Sequence, residues 1–225
     1  MIAVDKQGSI QNVSAEPSPS FHPALRYAAT VISYVFHPLF IPVYVGYFLI
    51  YVLDYFPDYT GLGKIKLVIS MAVNYTLLPL ATLLLAKALG FVQSIYLKSQ
   101  KDRIIPYVAT GIFYFWIWYV FRNQGFAPTV VMFSLAVFLA SSTGLIANSF
   151  LKVSMHAISM GVMATYVLLL GFTTYKSFGP YISVAFFIAG LVCTARLILS
   201  AHSPREIYIG LGIGVVAQVI AAMFA

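Results

Sequence analysis

Charge is nearly absent from seven long apolar stretches of this chain, and each is close to the length a helix needs to cross a bilayer. They run from Tyr27 to Leu53, Leu67 to Val92, Ile104 to Phe121, Thr129 to Ala147, Ala157 to Tyr175, Tyr181 to Ser200 and Ile207 to Ala225. Crossing the hydrocarbon takes roughly 20 apolar residues, and the backbone must satisfy its own polar groups there, which makes each stretch a helix. Of 225 residues, 61% are apolar and 8% charged, against the roughly 25% charged that coat a soluble domain. The expected fold is all-α: a polytopic transmembrane helical bundle of about seven spans, or six if the first or the third is discounted.

Residues 1–23 differ, being rich in Ser, Pro, Gln and Asn with single charges and no apolar run. They read as a flexible tail without a cleavable signal peptide, ahead of one transmembrane domain over 24–225. Pro38, Pro42 and Pro79 lie inside apolar stretches and predict kinks, because neighbours in a bundle re-satisfy the freed carbonyls. The net charge of +7 does not imply nucleic acid, since no soluble basic face exists and cations at span ends are ordinary interface chemistry. Cys193 is alone inside a span and gives no disulfide, zinc or redox signal.

With seven spans, the loops after the second, fourth and sixth share one membrane face. They carry Lys98, Lys101, Asp102 and Arg103; then Lys152, Ser154 and His156; then His202, Arg205 and Glu206, with Arg196 just inside the membrane. The opposite loops hold Lys64, Lys66, Arg122, Lys176 and aspartates, with no histidine. In the last cluster an arginine precedes His202 by six residues and an acid follows by four. A cation beside an imidazole whose second nitrogen is held by a carboxylate has the parts of a histidine nucleophile for a phosphoester. Each part also has a structural reading. Arg196 can snorkel, Ser203-Pro204-Arg205-Glu206 is a capping box with proline at the first helical position, and Gly210 and Gly214 suit close helix packing. Ser154 is placed to cap the fifth span, with His156 in its first turn near any anion held by free backbone N–H groups. Lys101 and Arg103 offer a point charge and a bidentate fork to one phosphate.

These clusters resemble the lipid phosphate phosphatases of the type 2 phosphatidic acid phosphatase superfamily, whose signatures run K-x6-R-P, P-S-G-H and S-R-x5-H-x3-D. The third is matched by Ala195-Arg196, five residues, His202, three residues and Glu206, with glutamate for aspartate. The second keeps Ser154 and His156 with Val153 for proline and Met155 for glycine, and the first keeps Arg103 with Pro106 displaced and Lys101 too close. The resemblance covers about residues 98–215. It implies a membrane phosphatase acting on a lipid phosphomonoester or pyrophosphate headgroup through a phosphohistidine. His202 would be the nucleophile, Glu206 its support and His156 the general acid and base. Lys101, Arg103, Ser154 and Arg196 would bind the phosphoryl oxygens, with Lys98 and Lys152 as further candidates. No metal or organic cofactor is implied; the partners are membrane lipids and a lipid-phosphate substrate.

The competing reading is a catalytically silent protein that binds lipid or an anion on the same scaffold. A metal site of His37, His156 and His202 lacks any paired histidine spacing. With the phosphate-binding cations set aside, Lys6, Arg26 and Lys98 oppose Lys64, Lys66, Arg122 and Lys176. That balance favours a cytoplasmic C-terminus and a site facing outward from a bacterial inner (cytoplasmic) membrane.

Overall fold

The computed structural model describes residues 2–4, 10–12, 21–92, 100–173 and 177–224. Near the N-terminus Ile2–Val4 (β1) pairs antiparallel with Ile10–Asn12 (β2). The regular elements that follow among the described residues are all helical: α1 Pro23–Val35, α2 Ile41–Tyr47, α3 Gly61–Ala72, α4 Leu78–Ala88, α5 Ile104–Asn123, α6 Pro128–Asn148, α7 Met155–Thr173, α8 Gly179–Ile198 and α9 Pro204–Phe224. A π-helical stretch, Phe48–Val52, prolongs α2, and another, Val73–Leu77, joins α3 to α4 as one helix from Gly61 to Ala88. That long helix and the five from α5 to α9 are each long and apolar enough to cross a membrane. The chain is an all-α, polytopic membrane helical bundle.

Within the bundle α7 is the centre, with 67% of its span buried in protein, against 17% for Gly61–Ala88. Leu84, Leu85, Ile112, Trp116, Phe187 and Met223 on the outer helices are exposed. Hydrocarbon solvates such residues as well as a protein core does, so packing rather than burial from water selects the helix contacts. At the α7–α9 contact the two backbones touch through glycine. A Cβ on Gly214 would collide with the carbonyl of Ile158, and one on Gly161 with the carbonyl of Leu211. This approach sets the register of the two helix starts, where the Ser154 N–H donates to the Glu206 carbonyl at 3.3 Å.

The first apolar stretch departs from expectation, because Tyr27 to Leu53 is not one kinked span. α1 stops at Val35, the chain turns through Phe36–Phe40, and helix resumes at Ile41. Neither piece, of 13 residues in α1 or from Ile41 to Val52, reaches the roughly 20 residues of a full crossing. The residue before a proline is disfavoured in the α region, which suits a break at His37-Pro38, while Pro42 sits in the first turn of α2, where its missing N–H costs nothing. The carbonyls freed by the break find side-chain donors: the Thr76 hydroxyl bonds Leu39 O at 2.6 Å, and the Tyr44 hydroxyl bonds Val35 O at 2.9 Å. Pro79 does keep its helix continuous. It follows the π turn, and the carbonyl of Tyr75, four residues before it, accepts the Tyr114 hydroxyl at 3.2 Å.

Candidate active site

At the end of the bundle where α5, α7 and α9 begin and α8 ends lies a cavity of about 340 Å³, lined by Ser33, His37, Arg103, His156, Arg196 and His202 among others. Arg103, His156, Arg196 and His202 reach it from three loop regions far apart in sequence. Each is delivered by a local device.

His202 follows the end of α8. Ser200 adopts a left-handed conformation (φ 51°), and the Ala201 N–H reaches back to Arg196 O at 3.1 Å. This is the 6→1 bond of a Schellman-type ending, for which glycine is the usual residue. A serine there carries strain of about 1 kcal/mol or more, and the turn it enforces separates Arg196 from His202 by one tight bend. α9 then starts at Pro204, with the Glu206 N–H donating to the Ser203 hydroxyl at 3.3 Å. The same Glu206 accepts from His202 Nδ1 through Oε2 at 2.6 Å, so cap and carboxylate support coexist. With Nδ1–H given to the carboxylate, the lone pair of His202 resides on Nε2. Burial lowers the His202 pKa to about 4 from its usual 6.5; the Glu206 hydrogen bond opposes this, and Arg103 and Arg196 add to it. The ring is therefore neutral at neutral pH.

His156 stands in the first turn of α7, with Nε2 3.0 Å from the carbonyl of Ser33 in α1. A carbonyl only accepts, so Nε2 carries the proton and Nδ1 is the atom left to exchange one. The Ser154 hydroxyl caps α7 by accepting the Ala157 N–H at 3.3 Å; it is fully buried and does not line the cavity.

Arg103 ends a 3-10 turn, Lys101–Arg103, that leads into α5, and one of its terminal nitrogens donates to Val153 O at 2.8 Å. The turn is tied down by reciprocal bonds: Gln100 Nε2 donates to Asn148 O and Asn148 Nδ2 to Gln100 O, each at 2.9 Å. Arg196 lies in the last turn of α8, where a cation complements the helix dipole. Its Nε is buried and has no hydrogen-bond partner among the described residues.

Of the remaining candidates, Lys101 is exposed and outside the cavity wall, and Lys152 Nζ donates to Ala201 O at 3.4 Å. Lys98 lies outside the described residues. His37 and Ser33 are in the wall although sequence reasoning gave His37 only a metal role and Ser33 none. The one signal for them was the His37-Pro38 step, which marks a break. His37 packs edge-on against His156, with ring centroids 5.4 Å apart. Among the described residues no group of three or more His, Cys, Asp or Glu is arranged to hold a metal ion.

A second, apolar cavity of about 150 Å³ adjoins the first and shares His37, Pro38 and Met155 with it, continuing into the bundle past Ile41, Val137 and Val162. No protein-family model matches this chain, and no curated protein or solved structure matches it either. What the fold defines is an integral membrane helical protein. Any narrower assignment rests on the residues of the cavity.

Proposed function

We propose that this protein is a membrane lipid phosphatase that removes a phosphomonoester or pyrophosphate headgroup through a phosphohistidine on His202. The observation that carries the reading is the His202–Glu206 pair, 2.6 Å apart, opening on a cavity where Arg196 Nε has no protein partner among the described residues. A buried guanidinium nitrogen without a partner is costly and is relieved by an anion that accepts from its fork.

In this mechanism the Nε2 lone pair of His202 forms a bond to phosphorus as the bond from phosphorus to the leaving oxygen breaks. His156 takes up on Nδ1 the proton of the entering phosphate monoanion, gives it to that oxygen and keeps Nε2–H on Ser33 O. Glu206 stabilises the positive charge that the phosphorylated ring acquires. Arg103 and Arg196 spread the charge of the equatorial oxygens. Water then attacks the phosphohistidine and yields its proton to His156 Nδ1. Phosphate leaves, and both histidines return to their starting states. A lipid partner fits the setting, since the cavity lies at the end of the bundle and an apolar cavity adjoins it. The site is proposed to face outward from a bacterial inner membrane.

Purified protein incubated with labelled phosphatidate and quenched without acid should carry label on His202, stable to base and labile to acid. His202→Ala should remove the label and lower phosphate release by a factor on the order of 10³ or more. Turnover undiminished in His202→Ala would sink the proposal, and binding without turnover in the wild type would favour a silent anion binder.

A further inference from the structure

Resting on the phosphoryl site proposed above, we infer that the broken first segment is the third wall of that site. The Ser33 hydroxyl and the Nε2–H of His37 donate to oxygens of the anion held by Arg103 and Arg196.

Ser33 is 7% exposed, lies on the cavity wall, and its hydroxyl has no hydrogen-bond partner among the described residues. That is unusual for a helical hydroxyl, which ordinarily bonds the carbonyl three or four residues back. Thr30, one turn earlier in the same helix, does so, with its hydroxyl on Arg26 O at 2.9 Å. Ser33 therefore keeps a donor in reserve beside the other unsatisfied buried donor of this wall, Arg196 Nε. One oxyanion satisfies both.

His37 adds a third donor by a different route. Its Nδ1 accepts the Leu39 N–H at 3.3 Å, so the ring proton is on Nε2. The ring is fixed by its edge-on contact with His156, and the turn that carries it is held by the Thr76 hydroxyl on Leu39 O. The donors thus reach one cavity from four directions: the last turn of α1, the break after it, the turn before α5 and the last turn of α8. Four directions suit a tetrahedral phosphoryl group, whereas a planar carboxylate needs one fork. The volume of about 340 Å³ is far above the roughly 10–15 Å³ that admits one water, which leaves room for the atoms bonded to the phosphoryl group.

The test is calorimetric titration of the full chain in detergent with two probes, inorganic phosphate and dioctanoyl phosphatidate. Ser33→Ala and His37→Phe, the latter keeping an aromatic ring against His156, should each weaken both probes by about ten-fold, the usual loss for one hydrogen bond to a charged group. His37→Gln, whose amide restores a donor, should recover most of the loss. Tighter binding of phosphatidate than phosphate in every form identifies the lipid headgroup as the natural source of the anion, and equal binding identifies free phosphate. Wild-type affinity for both probes in Ser33→Ala and His37→Phe, with binding lost in Arg196→Ala, would remove the third wall and leave the arginine site standing. No binding of either probe to the wild type would overturn both. Ser33→Ala decides the matter alone if His37→Phe does not fold.

Discussion

Two regions of this molecule meet at the cavity by opposite means. The α7–α9 pair is a continuous contact in which glycines let two backbones touch, and it brings His156 and His202 to one cavity. The first segment is broken, half exposed, and secured by single side-chain bonds, one from its own Tyr44 and one from Thr76 of the next helix. In the proposed mechanism a rigid pair suits the groups that would exchange phosphorus and protons, where misplacement by about 1 Å is costly. A segment held by a few bonds suits a wall that the proposed headgroup would pass.

The largest effect in this contrast belongs to Gly214. Gly214→Leu places a side chain against the backbone of α7, which cannot move aside as a flexible side chain does. The expected loss is about 3 kcal/mol or more, read as a lower melting temperature in detergent together with lost phosphate release. Gly212, two residues away, is exposed, and a Cβ added there would meet nothing within 4 Å. Gly212→Leu should leave both readouts unchanged, and equal damage from the two variants would break the argument for the contact.

A smaller and more local effect belongs to the first segment. Thr76→Val removes the donor to Leu39 O and should cost about 1–3 kcal/mol, the penalty for a carbonyl left unsatisfied. Hydrogen exchange should quicken over residues 36–41 while α7 and α9 keep their protection. Uniform quickening across the bundle would mean that the two regions unfold together.

The smallest effect is a displacement along the pH axis. In the proposed mechanism His202 must be neutral to attack, and its pKa is lowered to about 4, chiefly by burial. The acid limb of kcat/KM assigned to His202 should therefore fall near pH 4 rather than near 6.5. The sign for stability agrees: between those values the unfolded chain binds the extra proton, so stability rises from about pH 4 to about 6.5 and then levels. Glu206→Gln removes an interaction that raises this pKa, so it should lower turnover without moving the limb upward. An upward shift would contradict the assignment of the limb to His202.

Much of this was legible along the chain because the relevant forces are local. Stretches of apolar residues determined the six long spans, since a charged residue in hydrocarbon is expensive at every position. The four-residue step from His202 to Glu206 across a capping sequence brought imidazole and carboxylate within reach, because one helical turn separates such positions. The small residues of α9 marked the face that packs closely. Other features depended on partners far away in sequence. Whether Pro38 would kink a helix or end it was decided with the help of Thr76, 37 residues beyond Leu39, which offers Leu39 O a bond that an unbroken helix would not need. Among the polar candidates, Arg103 and Arg196 line the cavity, Lys101 is exposed, and the Ser154 hydroxyl is turned to its own helix. Ser33 and His37 have no motif of their own, and only the packing of the last turn of α1 and of the break after it brings them to the wall. Local sequence sets which backbone conformations and neighbouring pairs are cheap, whereas a donor's direction and its remaining partners exist only once helices from distant segments have packed.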